Sequence, residues 1–347
     1  GDPGYRALLS LSGETSVSAI VDAFALPPMS YLDGQALWRG RLLLPALDPL
    51  ATSVPRLSIS SNLAGVAIRL PEPLSKPPGE AVNLAVDFAF GADGRLDVSG
   101  NLGATRRFAL GFGVGDDALV FERGAVALGG GEPRLPVQAG FLVAGQVEAL
   151  ELDRWLELGT NTGIARAGPL FLGADIDAAR LDVLGQQLGA SSLRVERGRD
   201  DWQIDIDSEA IAGRISLPRS AGERRQIVAE MSRLYLSAGG DGGLGELDPR
   251  SLPGISIAAD EFGFGNRQLG RIMAEVEPVP AGLVLRTFSS ATDNYRMDID
   301  GSWLTRRGGS RTTLNAEIRS TDVAAALAEL GLDPAEIRDL RGQGVLG

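Results

Sequence analysis

Neither histidine nor cysteine occurs among the 347 residues of this chain, and it has a single lysine, Lys76. The missing histidine removes the commonest general base and metal ligand, which excludes Ser-His-Asp triads and histidine-bound zinc. The missing cysteine excludes disulfides, thiolate metal sites and cysteine nucleophiles. Aromatic residues are only 5% of the chain, so any interior is mainly aliphatic. No apolar run approaches the roughly 18 residues of a membrane span, and the opening GDPGYRALLS lacks the basic and apolar regions of a signal peptide. Positive charge is also short: 45 acidic residues face 33 basic ones, a formal charge of −12. That field disfavours nucleic acid and anionic headgroups as partners recognised through charge alone.

What is abundant is glycine, 46 residues, together with 19 prolines. Both suit short strands joined by tight turns. Hydrophobic and polar residues alternate with period two in many places, the mark of strands with one apolar and one solvated face. Leu84, Val86, Phe88 and Phe90 share one face in NLAVDFAF. Phe108, Leu110, Phe112 and Val114 share one in FALGFGV. Trp202, Ile204 and Ile206 alternate with Gln203, Asp205 and Asp207, and Tyr295, Met297 and Ile299 alternate with Arg296, Asp298 and Asp300. The breaks between these runs (GADGR, GVGDD, RGRDD, SAGER) are hairpin-like. The predicted fold is therefore all-β dominated: a long, mostly antiparallel sheet with a few short helices.

Helical signals are confined to LDRWLELG after Leu152, to STDVAAALAELG with Ser320 or Thr321 as cap and Gly331 as terminator, and to DPAEIRDLRG with Asp333 as cap. Sliding the sequence by 81 residues pairs Gln187–Ser208 with Gln268–Ser289, matching Gln-Leu-Gly, Val-Glu and the final serine, the pattern of a repeated strand-turn-strand unit. Glycine and proline interrupt the alternation at Leu128–Gly140 and Ser237–Gly254. The first of these divides the chain into segments 1–130 and 131–347, read as stretches of one continuous elongated unit.

Candidate chemistry is sparse. GFGNRQLG and GGDGGLGE have neither dinucleotide-fingerprint nor P-loop spacing. Asp205 and Asp207 alternate with isoleucines, which puts them on a strand's outer face instead of in a calcium loop. No metal, cofactor or catalytic residue is expected, and the chain is not expected to be an enzyme. The apolar faces carry the functional weight. They form either the covered core of a β-sandwich array, a structural or protein-interaction module, or an open curved sheet that holds lipid acyl chains. A third reading, a carbohydrate-binding β domain, has few tryptophans and tyrosines to rest on.

Asn62–Pro77, NLAGVAIRLPEPLSKP, resembles the DL-x-G-V-x-x-x-LP-x-PL-x-K signature of the large AsmA-like envelope proteins of the YhdP type in Gram-negative bacteria, although Asn62 stands where that family often has aspartate. LELDRW (Leu150–Trp155) resembles the family's LDLD-x-W segment. WQIDIDSEAIAGRISLP (Trp202–Pro218), the stretch Asp248–Gly270, GSWL at Gly301 and STDVAAALAELG at Ser320 match further segments in the same order. The resemblance implies a taco-like β groove in the periplasm, part of a longer protein anchored in the inner membrane by an N-terminal helix. It implies phospholipid acyl chains as ligand, contacts with inner and outer membranes made through other parts, envelope proteins as further partners, and transport without a chemical step. The alternating residues named above would line the groove. Leu70, Pro71, Pro73 and Lys76 would form a corner at its rim, since proline cannot donate ladder hydrogen bonds. There Lys76 is either an exposed charge on a turn or a contact for a carboxylate or lipid phosphate.

Overall fold

A computed structural model describes residues 5–23, 31–45, 54–91, 94–115, 119–155, 170–183, 185–219, 226–237, 249–250, 252–306 and 309–331. Its contacts divide the chain into two units: Gly1–Val183 with Ser192–Arg197, and Leu184–Ser191 with Gly198–Gly347. The all-β expectation holds. Strands dominate both units, and the helices are short.

Unit 1 contains β1 (Tyr5–Ser16), β2 (Leu32–Pro45), β3 (Arg56–Ser61), β4 (Val66–Ile68), β5 (Leu84–Phe90), β6 (Leu96–Leu102), β7 (Arg106–Val114), β8 (Leu119–Leu128), β9 (Gly140–Glu151), β10 (Phe171–Val183) and β12 (Ser191–Arg197). Pairing follows chain order: β1 with β2, then β3, β5, β6, β7, β8, β9 and β10, with β4 on the start of β2. Helix α1 (Val17–Ala23) packs on β1 and β2.

Unit 2 contains β11 (Gln186–Leu188), β13 (Asp201–Ser208), β14 (Ile211–Pro218), β15 (Gln226–Leu236), β16 (Gly254–Phe264), β17 (Arg267–Val279), β18 (Gly282–Ala291), β19 (Tyr295–Arg306) and β20 (Gly309–Ser320). Again each strand from β13 to β20 pairs with the next. Helix α2 (Val323–Glu329) packs on β17. The two stretches paired by the 81-residue shift differ in strand count: Gln187–Ser208 spans β11, β12 and β13, and Gln268–Ser289 spans β17 and β18.

The sheet is mixed, not antiparallel throughout. β8–β9, β9–β10 and β15–β16 are parallel. A parallel neighbour cannot be reached by a tight hairpin and needs a longer connection. The two glycine- and proline-rich interruptions are such connections, one between β8 and β9 and the other between β15 and β16.

One helix boundary differs from expectation. The cap of α2 is Asp322, whose carboxylate accepts from Ala325 N–H at 3.0 Å. Ser320 instead ends β20, and its hydroxyl donates to the Asn294 carbonyl at 2.7 Å. Gly331 follows α2 with φ +65°, as the terminator reading requires. In LDRWLELG a helical turn covers residues 152–155, and 156–159 lie outside the described residues, as does DPAEIRDLRG.

Candidate functional site

The strand register lines up the apolar alternations into rows. In unit 1, Leu9, Leu42, Leu57, Phe88, Val98 and Leu110 stand opposite one another across β1, β2, β3, β5, β6 and β7. The next row holds Leu11, Gly40, Ile59, Val86, Gly100, Phe108 and Val126. Val86, Leu96, Val98 and Phe112 form a buried cluster, and Leu84, Phe88, Phe108 and Leu110 pack against it half-buried. Phe112 meets Phe121 edge to face, ring centres 5.8 Å apart, a favoured aromatic geometry. Phe90 continues the row of Leu96 and Phe112 but is exposed. The side chain of Val114 lies outside what the structure describes. Gly100 lets this face close up, because a Cβ there would come within 2.6 Å of the Phe108 ring.

In unit 2, Ile204, Ile215, Ala229, Ile257, Ala274, Phe288 and Ile299 form one row from β13 to β19, and Ala316 extends it to β20. Eight strands at roughly 4.8 Å spacing make this strip about 34 Å wide. Ile206, Met231, Ile272 and Met297 belong to the row beside it. Trp202, Ile204, Met297 and Ile299 are half-buried, while Ile206 is buried. Register thus joins the predicted residues of β13 and β19 through five intervening strands that periodicity alone did not connect.

Tyr295 differs from its neighbours. It is 3% exposed and packs with Ala326 and Leu330 of the α2 region, flanked by Leu269 and Met297. Burial raises its hydroxyl pKa above the ordinary tyrosine value, opposed by a hydrogen bond with Ser290 and assisted by the nearby Glu329 carboxylate. Glu329 accepts from Thr292 Oγ1 at 2.8 Å and also from Asn294 Nδ2. These contacts seat α2 over the Tyr295 end of the strip.

The opposite faces are polar. Asp205 accepts from Arg214 Nε at 2.6 Å and from its Nη2 at 3.1 Å. Arg286 reaches Glu277 at 2.5 Å, and Arg194 reaches Asp175 at 3.0 Å. These exposed cross-strand pairs contribute little each, but they settle which face is solvated. Among the described residues no acidic cluster has the geometry of a metal site.

At the corner, strand pairing stops at Ile68, two residues before Leu70. The Glu72–Pro73 peptide is cis. Lys76 is 1% exposed, so it is not an exposed turn charge, and it does not point out to a rim. Its ammonium turns inward and donates to the carbonyl oxygens of Val66 at 2.7 Å and Pro77 at 3.1 Å. The reason is a local shortage of donors: Pro71, Pro73, Pro77 and Pro78 have no N–H, so the side chain supplies what the backbone lacks. Ile68 and Lys76 exchange backbone bonds of 2.8 and 2.9 Å. Gly65, with φ +97°, has no room for a side chain, since a Cβ would come within 2.5 Å of the Gln35 carbonyl oxygen. Trp155 closes over the corner through its indole N–H, which donates to Glu72 O. The proline signature and the LELDRW segment therefore meet in space.

A family model described as YhdP protein matches residues 1–343. The chain belongs to the YhdP family. It is 24% identical over 322 residues to the intermembrane phospholipid transporter YhdP of Escherichia coli (strain K12), a match that covers 87% of this chain and 24% of that protein. The chain thus spans about a quarter of the length of this curated relative. No solved structure matches it. As a YhdP-family segment, the chain keeps its signature residues at a structural corner and presents its apolar residues as two wide strips. Sequence periodicity named less than half of those strips: Leu42, Leu57, Ile59, Leu96 and Val98 in unit 1 and Ile215, Ile257, Ile272 and Phe288 in unit 2 emerge only from the register.

Proposed function

We propose that this chain is a lipid-binding scaffold, one stretch of a periplasmic bridge along which phospholipid moves between inner and outer membranes without a chemical step. The observation that carries the reading is the pair of apolar strips, each many strands wide, backed by a charged face and largely half-buried. In a closed sandwich the inward rows are core and lose nearly all their exposure. Here Phe88, Leu110, Ile204, Ile257, Phe288 and Ile299 all keep part of theirs. The name of the Escherichia coli relative supports phospholipid as the ligand class. Attachment to the inner membrane and delivery at the outer membrane belong to other parts of the longer protein.

The energetics suit such a role. Each acyl methylene removed from water contributes about 0.8 kcal/mol, so a sixteen-carbon chain represents on the order of 12 kcal/mol. No specific chemistry is needed to hold it, and an aliphatic lining without directional partners lets it slide. The test is native mass spectrometry of the protein purified gently from a Gram-negative host, beside Leu110→Asp and Ile204→Asp. Phospholipid that co-purifies with the unaltered chain and is lost from either variant, with circular dichroism unchanged, is the expected result. A chain free of lipid that also refuses a fluorescent phospholipid would return these strips to the core of a structural or interaction module.

A further inference from the structure

Alternation on β7 runs Arg106, Phe108, Leu110, Phe112, which puts an arginine on the apolar face of unit 1. Arg106 stands opposite Leu102, and Leu102 opposite Leu84. At the paired positions of this face from β2 to β8, Arg106 is the one charged side chain. Its Nη1 is buried and has no hydrogen-bond partner among the described residues. Several other arginines are paired: Arg69 with Asp33, Arg194 with Asp175, Arg214 with Asp205, and Arg107, the next residue but on the other face, with Glu132. Arg123 and Arg233 also each keep a buried Nε without a partner, but Arg233 donates through Nη2 to Ser208 O, and Arg123 stands opposite Gly111 on the other face. Arg106 is otherwise half-buried, and a guanidinium nitrogen drawn out of water without an acceptor loses hydration and gains nothing in return. Such a group calls for a ligand that brings anionic oxygens.

We propose that Arg106 binds the phosphodiester of a phospholipid whose acyl chains lie along the half-buried Phe108 and Leu110, toward the Phe112 end of the strand. The proposal rests on the lipid-binding reading above and adds a headgroup site to it. A guanidinium's planar fork matches two phosphate oxygens at once, and its charge is permanent. From Arg106 to Phe112 the strand runs about 20 Å at ~3.4 Å per residue. That accommodates an acyl chain of about 15 Å, half of a roughly 30 Å hydrocarbon core. Arg106 opens β7, directly after the turn that follows β6, so the headgroup sits at the end of the strip and the tails run along it. Lys76, the chain's sole lysine, does not compete for this role because its ammonium donates to backbone carbonyls.

The experiment compares two ligands with the same fluorescent acyl chains, a phosphatidylglycerol and a diacylglycerol, titrated into the unaltered chain, Arg106→Gln, Arg106→Lys and Arg107→Gln. The expected result is that Arg106→Gln weakens phosphatidylglycerol binding about tenfold or more while diacylglycerol binding stays the same. Arg106→Lys recovers part of the loss, and Arg107→Gln changes neither ligand. Retained diacylglycerol binding also shows that the variant is folded. Unchanged phosphatidylglycerol binding in Arg106→Gln, or equal weakening of both ligands, would overturn the headgroup site and leave the apolar strip as a lipid surface. Displacement of phosphatidylglycerol by millimolar inorganic phosphate would also overturn it, assigning Arg106 to a free anion. Uptake of neither ligand by the unaltered chain would overturn the lipid reading itself, and this site with it.

Discussion

Trp155 donates its indole N–H to the carbonyl oxygen of Glu72 at 3.0 Å, across 83 residues of chain. The acceptor belongs to the cis Glu72–Pro73 peptide of the corner, and the donor lies in the helical turn after β9. Trp155→Phe keeps the ring's bulk and removes the donor. The expected loss is about 0.5–1.5 kcal/mol of stability in urea unfolding, without loss of bound lipid.

Lys76→Met tests the inward ammonium. Methionine keeps much of the length and leaves the Val66 and Pro77 carbonyls without their donor. An unsatisfied buried acceptor costs about 1–3 kcal/mol, so a lower denaturation midpoint is expected. A midpoint equal to that of the unaltered protein would show that water serves these carbonyls as well as the lysine does.

Core and strip residues of unit 1 are expected to respond differently to truncation. Phe112 is 7% exposed and packs on Phe121, so Phe112→Ala is expected to cost about 3 kcal/mol. Leu110 keeps part of its exposure, so Leu110→Ala is expected to cost about 1–2 kcal/mol and to weaken acyl binding. Thermal melts with and without phospholipid separate the two effects.

The α2 seat has its own test. Asp322→Ala removes the cap on Ala325 N–H, a change worth about 1 kcal/mol. Hydrogen exchange over residues 323–329 is expected to accelerate while β13–β16 stay protected.

Alkaline pH should weaken the same region. Burial raises the Tyr295 pKa in the fold above its unfolded value near 10. Tyr295 thus contributes stability that is fully present below that unfolded value and lost as pH rises through the folded one. Tyr295→Phe is expected to flatten this part of the alkaline stability profile, measured beside a tyrosinate absorbance titration. Tyr31, also raised by burial, and Tyr235, raised by its hydrogen bond to Glu261, act in the same direction.

Alternation made the strands and their apolar faces legible, because period two is a property of each strand alone. It was silent about parallel pairing, since a strand reads the same whichever way its neighbour runs. Only the long connections after β8, β9 and β15 hinted at those steps. Lys76 misled because a lone charge in a proline-rich turn is ordinarily solvated; the donor shortage that turns it inward becomes visible once four prolines are counted against the carbonyls around them. Arg106 was there to be found by stepping back two residues from Phe108, but the Arg106-Arg107 pair hid the fact that its two members face opposite ways. Register, which joins Ile204 to Ile299 across β14–β18, depends on turn lengths and bulges such as the one between Ala212 and Gly213.

Most strands here bond to the strands beside them in sequence, so nearly every ladder closes a short stretch of chain. Such a chain grows its sheet hairpin by hairpin, with low entropic cost at each addition. The exceptions are the β3–β5 pairing, which spans the proline corner, and the three parallel steps; there a longer connection must close before any bond forms, and these are the expected slow points of folding. Nearest-neighbour pairing also divides cooperativity into small blocks. A lesion in one hairpin then frays its neighbours and leaves distant strands intact, so exchange protection should vary along the chain in steps, not vanish all at once.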